Sequence, residues 1–135
     1  MHEHKITWDD SLSVDVTEID EDHRRLVDLF NLLVDAVADD EPSAYIDALL
    51  KELISCTDWH FKHEERLMLH YNYSELEGHR AEHQDLIDSA LQLRRKFDDQ
   101  DKRLGVDDIE YLSGWLTEHI LGYDMKLGFY LLDRM

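Results

Sequence analysis

From Ile46 onward, apolar side chains recur at three- and four-residue intervals: Ile46, Leu49, Leu53 and Cys56. The next places on that stripe are His60, Glu64 and Leu67. A helix turns by about 100° per residue, so positions i and i+4 share a face. A stripe of this period reads as the buried side of an amphipathic helix. An imidazole and a carboxylate therefore stand where the stripe should run deepest. Stacked in this way they suit a borderline metal such as iron or zinc. Both residue types are also ordinary on a wet helix face, so the pair gains weight only from its counterparts. His79 and His83 repeat the i,i+4 spacing, and His23 and His119 lie in two further apolar segments.

The chain has few places to turn, with five Gly and one Pro among 135 residues. Long helices joined by short connections are expected. Residues 1–19 differ from the rest. Their apolar members Ile6, Trp8, Leu12, Val14 and Val16 suggest an extended arm laid over a bundle formed by residues 20–135. The first helix is predicted to begin at Asp20, as its cap, and to run to about Ala38. Leu26, Phe30, Leu33, Val37 and His23 share its inner stripe. Asp39-Asp40-Glu41 and Pro42 end it, because proline is tolerated at a helix start and not in the middle. The second helix spans about Ser43 to Leu69.

Ser74 with Glu77 three residues on is a capping-box signature for a third helix. That helix carries His79, His83, Leu86 (or Ile87), Ala90 and Phe97 and is predicted to end near Lys102. Asp107 with Glu110 makes a similar box for a fourth, with Ile109, Leu112, Leu116 and His119 facing inward. Four amphipathic helices with short loops predict an all-α fold, an up-down-up-down four-helix bundle with an N-terminal extended arm.

Composition narrows the function classes. A 135-residue chain that is 43% hydrophobic is one domain with a substantial core. Lys plus Arg number 14 against 32 Asp plus Glu, a formal net charge of −18. Such a surface repels phosphate backbones and anionic lipid, which argues against nucleic acid or membrane as partners. No uncharged apolar run approaches the roughly 18 residues of a spanning helix. Met1-His2-Glu3-His4-Lys5 lacks the basic-then-apolar pattern of a secretory leader. Cys56, the single cysteine, forms no internal disulfide, which fits a reducing compartment. The expectation is a cytoplasmic monomer.

A lone buried histidine is more often a hydrogen-bonded core residue than a ligand. Five of them (His23, His60, His79, His83, His119) on the inner faces of four helices find too few partners in an apolar core, and burial disfavours their charged forms. A metal centre resolves both problems by taking a nitrogen from each. Asp124 lies five residues after His119, about 140° away on an ideal helix. Gly122 and a local widening of the helix can swing it back towards the centre; alone it reads as a surface charge. The blander reading holds for the remaining histidines. His2 and His4 fall in the terminus, His63 points away from the His60 and Glu64 pair into solvent, and His70 lies in a connection. Trp59 and Trp115 read as core packing, and Cys56 as a small buried hydrophobe.

Taken together, His23 after Ile19-Asp20-Glu21-Asp22, His60-x-x-x-Glu64, His79-x-x-x-His83 and His119-x-x-x-x-Asp124 resemble the hemerythrin pattern, in particular that of single-domain bacteriohemerythrins. The resemblance covers nearly the whole chain, including the arm with Trp8. Ser74 stands where many relatives have proline, and Leu127 where a tyrosine is common. The resemblance implies two non-haem irons. His79, His83 and His119 would hold one and His23 and His60 the other, with Glu64, Asp124 and an oxo or hydroxo group bridging them. It further implies that dioxygen binds at the five-coordinate, two-histidine iron as a hydroperoxide. The pocket would be lined by residues matching Leu26, Phe61, Trp115, Leu116 and Ile120. Dioxygen would then be the partner of a carrier that is not an enzyme, with an oxygen-consuming protein as recipient.

Ligand type supports reversibility. Five neutral imidazoles and two carboxylates put little negative charge on the metals, so the reduced pair is not driven to permanent oxidation. An apolar pocket without an acid or base limits proton delivery. A ferritin-like oxidase would need Glu-x-x-His motifs, and the chain has none. A zinc protease would need His-Glu-x-x-His, whereas His63-Glu64 is followed by Glu65-Arg66-Leu67. Oxygen or redox sensing, and iron or nitric oxide handling, are the alternative uses of the same centre.

Overall fold

The computed structural model describes residues 4–99 and 104–135. His2 and the expected end of the third helix near Lys102 lie outside these residues. After a 3-10 turn at Asp10–Leu12 come α1 (Thr17–Ala38), α2 (Ser43–His70), α3 (Leu76–Asp99) and α4 (Val106–His119). A wider π segment, Ile120–Asp124, joins α4 to α5 (Met125–Leu131) as one continuous rod. The four rods form an all-α, up-down-up-down bundle. Successive helices pack together from α1 to α3. The indole N–H of Trp115 on α4 then donates to the Leu86 carbonyl of α3 at 3.0 Å. Among the described residues no helix is long and apolar enough to cross a membrane.

The helix starts differ from those expected. Helix α1 begins at Thr17, three residues before Asp20. The Asp20 carboxylate instead ties down the arm, accepting from the Val14 N–H at 2.9 Å and the Ser13 hydroxyl at 2.6 Å. Helix α3 begins at Leu76, so Ser74 is no cap; Glu75 reaches Lys126 and Glu77 pairs with Arg80 at 3.7 Å. Helix α4 starts two residues early, with Gly105 in place of Asp107 as N-cap and the Asp108 carboxylate accepting the Gly105 N–H at 2.9 Å. Capping boxes are worth about 1 kcal/mol each. Burying one Leu or Ile contributes about 1.5–3 kcal/mol. Helix α2 has no side-chain cap at all, yet buries Ile46, Leu49, Leu50 and Leu53 in its first three turns. Burial decides where these helices lie.

The two helix ends of α1 and α2 share one device. Asp40 and Asn72 take positive φ, 55° and 56°. The next residue then turns its N–H back to a carbonyl five residues earlier, Glu41 to Ala36 at 3.0 Å and Tyr73 to Met68 at 2.9 Å. Short acidic or amide side chains tolerate this left-handed position, which closes the helix in a Schellman motif.

Apolar side chains gather in two clusters. The larger includes Leu26, Phe30, Leu33, Leu50, Leu53, Ile109, Leu112 and Ile120. The smaller comprises Val14, Val16, Ile19, Met68, Tyr73, Leu127 and Leu131. Each rod passes from one to the other, and at the crossing it carries a buried polar residue: His23 on α1, His60 and Glu64 on α2, His79 and His83 on α3, His119 and Asp124 on the last rod. The arm lies over the bundle. Asn31 exchanges two 2.8 Å hydrogen bonds with the backbone of Ile6, and the Arg24 guanidinium sits 5.2 Å from the Trp8 ring centre.

Gly128 is where arm and α5 meet most closely. A Cβ at this position would fall 2.3 Å from the Val14 carbonyl oxygen and 2.8 Å from its Cβ. Gly128→Ala should therefore lower stability by about 1–3 kcal/mol through overpacking. Gly78→Ala on α3, where nothing lies within 4 Å, should raise it by up to about 1 kcal/mol through helix propensity. Thermal melts of the two variants check this; equal midpoints would mean that the arm does not depend on that contact.

Candidate metal centre

The π segment aims Asp124 inward. The Met125 N–H reaches the Ile120 carbonyl, five residues back, so each turn holds an extra residue. His119 and Asp124, misaligned on an ideal helix, then face the same interior point. The two carboxylate oxygens of Asp124 divide their attention. Oδ1 lies 2.9 Å from His119 Nε2 and 3.0 Å from His79 Nε2. Oδ2 lies 2.7 Å from His23 Nε2 and 3.8 Å from His60 Nε2. Glu64 stands opposite, its Oε1 3.0 Å from His83 Nε2 and 3.5 Å from His60 Nε2.

Donor atoms fall into two compact sets. One is Glu64, His79, His83, His119 and Asp124; the other is His23, His60, Glu64 and Asp124. The two carboxylates belong to both. All seven residues are buried, at 0–4% exposure. Several of their atoms have no hydrogen-bond partner, among them Glu64 Oε2, His60 Nε2 and His119 Nε2. Unpaired buried polar atoms are costly, and here they point at one another across a shared interior. The donor set of imidazole and carboxylate fits a first-row transition metal, and the orphaned atoms fit a pair of them.

Outer partners fix which nitrogen faces inward. The Asp22 carboxylate is 2.9 Å from His60 Nδ1, and Glu65 is 3.0 Å from His83 Nδ1. An imidazole that donates through Nδ1 presents Nε2 as a lone pair, the arrangement typical of metal-bound histidine. Glu82 lies 3.9 Å from His119 Nδ1. None of these carboxylates stood out in the sequence, since each sits beside a candidate ligand and so points elsewhere on its own helix. The rule that ligand histidines lean on a carboxylate would have drawn attention to them.

His63 is corrected by the structure. It turns towards α1 and places Nδ1 2.6 Å from Asp22, with its side chain only 16% exposed. Trp59 is the opposite correction, a surface residue at 56% exposure set 5.4 Å from the His63 ring. Cys56 is half-buried, His70 is the exposed last residue of α2, and His4 lies 3.8 Å from Glu110. Leu26, Phe61, Trp115, Leu116 and Ile120 all line one small cavity of ≈ 10 Å³ against His23, His60 and His119. Thr57 and Leu86 complete its wall. Thr57 is hidden from a sequence search because its hydroxyl bonds the Leu53 carbonyl at 2.7 Å and leaves its methyl to pack.

Without metal, His60 and His119 supply positive charge to this layer. Burial pulls His60 down, but the negative charge of Glu64 and Asp124 and the hydrogen bond to Asp22 outweigh it and hold the imidazole up at about 10. His119 is likewise held at about 10, burial being overcome by Asp124 and Glu64. Burial and Asp124 push Glu64 up, yet His60, His119 and His83 bring it down to about 2. Asp124 is driven well below its ordinary value against burial, by His119, His23 and His60. The imidazolium contribution to stability is full below the ordinary 6.5 and lost as pH climbs through 10. The carboxylate contribution is full above 4.5 and lost as pH falls towards 2. Metal-free protein should therefore be most resistant to urea between these limits and weaken on both sides. A urea midpoint that stays flat from neutrality to the alkaline limb would contradict the charge pairing.

A family model described as the hemerythrin HHE cation binding domain matches residues 14–128. A hemerythrin-like protein of Naegleria gruberi is 36% identical over 119 residues, 88% of this chain and 87% of that protein. A bacteriohemerythrin of Methylococcus capsulatus is 31% identical over 109 residues, 81% of this chain and 82% of that one. A crystal structure of wild-type hemerythrin superposes with a TM-score of 0.84 at 29% identity, covering 91% of this chain and 95% of that chain. With its donor sets, its π segment and these likenesses in place, the chain belongs to the hemerythrin family, whose domain carries non-haem iron.

Proposed function

We propose that this protein binds dioxygen reversibly at a pair of irons held by the seven side chains. His79, His83 and His119 would hold one iron, His23 and His60 the other, with Glu64 and Asp124 shared between them. The observation that carries the reading is the uneven split of donors around those two carboxylates, three histidines on one side and two on the other. The ≈ 10 Å³ cavity touches both histidines of the two-histidine side, His23 and His60, and only His119 of the other three. Its volume is at the lower limit for a single water-sized molecule.

When bound, the iron pair supplies two electrons that dioxygen can take up and return. The chain's own residues set the conditions for that exchange. Leu26, Phe61, Trp115, Leu116 and Ile120 are 1–7% exposed and keep water from the cavity. Apart from the metal-facing groups the wall offers only Thr57 as a hydroxyl, and that proton is committed to the Leu53 carbonyl. Proton delivery that would discharge reduced oxygen species is thereby limited. Asp22 and Glu65 hold the Nδ1 protons of His60 and His83 on the outer side, so those rings stay oriented as ligands turn over. The chain acts here as a binder of dioxygen and not as a catalyst.

The test is anaerobic loading with ferrous iron to two per chain, followed by air and then degassing. A visible absorption band that appears with oxygen and fades on degassing is expected. Colour that persists after degassing, or steady consumption of a reductant, would replace carriage with oxidase chemistry. Leu116→Asn should leave iron content at two per chain and shorten the lifetime of the oxygenated form several-fold. An unchanged lifetime would remove Leu116 from the oxygen wall.

A further inference from the structure

The small cavity exposes little surface of its own, so gas reaches it most readily by way of wider neighbouring pockets and past the side chains that separate them from it. Two surface pockets abut it. One, of ≈ 160 Å³ between α1 and α2, is bounded by Asp22, Arg25, Leu26, Cys56, Trp59 and His60. The other, of ≈ 340 Å³ between α2 and α3, meets the cavity at Phe61. The walls shared with the cavity decide which is passable. Phe61 is clamped: it stacks flat on His83 at 3.9 Å and 6°, and meets His119 edge-on at 5.2 Å. The α1–α2 pocket shares two walls with the cavity, His60 and Leu26. His60 is tethered to Asp22 at 2.9 Å. Leu26 has neither a ring stack nor a hydrogen bond to hold it, and aliphatic side chains in a packed core still change rotamer.

The mouths differ as well. The α2–α3 pocket is rimmed by Asp58, Lys62, Glu65 and Arg80, with an Arg80–Glu65 ion pair at 3.3 Å. Charged rims order water and give an apolar gas little to dissolve in. The α1–α2 mouth also carries Asp22 and Arg25, but Asp22 is taken up by His60 and His63, and Trp59 and Cys56 give this mouth the larger apolar lip.

Resting on the oxygen-binding reading, we infer that dioxygen enters between α1 and α2, under Trp59 and Cys56, with the Leu26 side chain as the swinging partition. Leu26 then sets the rate of exchange, while the metal side chains set the affinity. Cys56, the sole cysteine, stands at the entrance and is a handle for closing it. Burial and the neighbouring Glu52 push its thiol up, so alkylation is run on the alkaline side.

The experiment reads dioxygen quenching of Trp115, whose indole lines the cavity. It uses zinc-loaded protein with Trp8→Phe and Trp59→Phe, so that Trp115 is the remaining indole. Zinc does not take up dioxygen, and the measurement therefore survives a failure of reversible oxygen binding. Alkylating Cys56 with a bulky maleimide should lower the quenching constant several-fold, while Cys56→Ser leaves it unchanged. Leu26→Ala should raise it; should that variant not fold, Leu26→Met and the alkylation still report. In the iron-loaded protein the same label should slow oxygen association and release together and leave the affinity nearly unchanged. Quenching indifferent to the Cys56 label would overturn the route. So would slowing produced only by a label at Gln84→Cys, on the α2–α3 pocket, in a Cys56→Ser background.

Discussion

Two carboxylates, Glu64 and Asp124, hold this bundle to a single arrangement. Both are fully buried, and between them they touch all five interior imidazoles, which come from every rod. Neither can be left without partners, because an isolated buried charge is far costlier than the burial of any one leucine is favourable. A slip of one helix by a turn would strand a carboxylate or an imidazole among leucines. The polar layer thus sets register, while the apolar clusters above and below it supply most of the driving force. Whether protons or metals provide the positive charge, the layer needs that charge to close.

The layer is also asymmetric, and the asymmetry runs outward into the rest of the molecule. On the three-histidine side His83 is braced by Glu65 and stacked on Phe61, and His79 and His119 pack against Tyr123. On the two-histidine side His60 leans on Asp22, which in turn is held by His63 at the surface. The apolar cavity touches both of this side's histidines, His23 and His60, and His119 alone from the other. One flank is thus crowded and braced by aromatic rings, while the other is tethered at His60 and walled by aliphatic side chains.

The lower cluster carries a different constraint. Val14, Val16 and Ile19 come from the arm and the start of α1, and Leu127 and Leu131 from α5. Gly128 lets the two backbones approach closely enough to seal the polar layer from below. Leu127, at 0% exposure, fills that seal with hydrocarbon.

How far the chain could be read in advance follows from what each signal depends on. Helical periodicity is local, so four amphipathic rods, the inward faces and the five histidines were available from spacing alone, and Pro42 marked the boundary of α2. The i,i+4 pairs His60 with Glu64 and His79 with His83 needed only helix geometry. Asp124 was half visible: its distance from His119 demanded a widened turn, and the π segment is that turn. Helix starts were misplaced because caps near 1 kcal/mol yield to packing, as at Asp20 and Ser74. The outer carboxylates Asp22 and Glu65, the inward turn of His63 and the exposure of Trp59 had no local signature. They are set by which helix lies opposite, through pairings as distant as Asp22 with His60 and His63. The sequence by itself determined which side chains face the interior, because periodicity is a property of one helix. Only the tertiary structure decided which of them meet, because contacts between helices depend on how the polar layer and the two apolar clusters are satisfied at once.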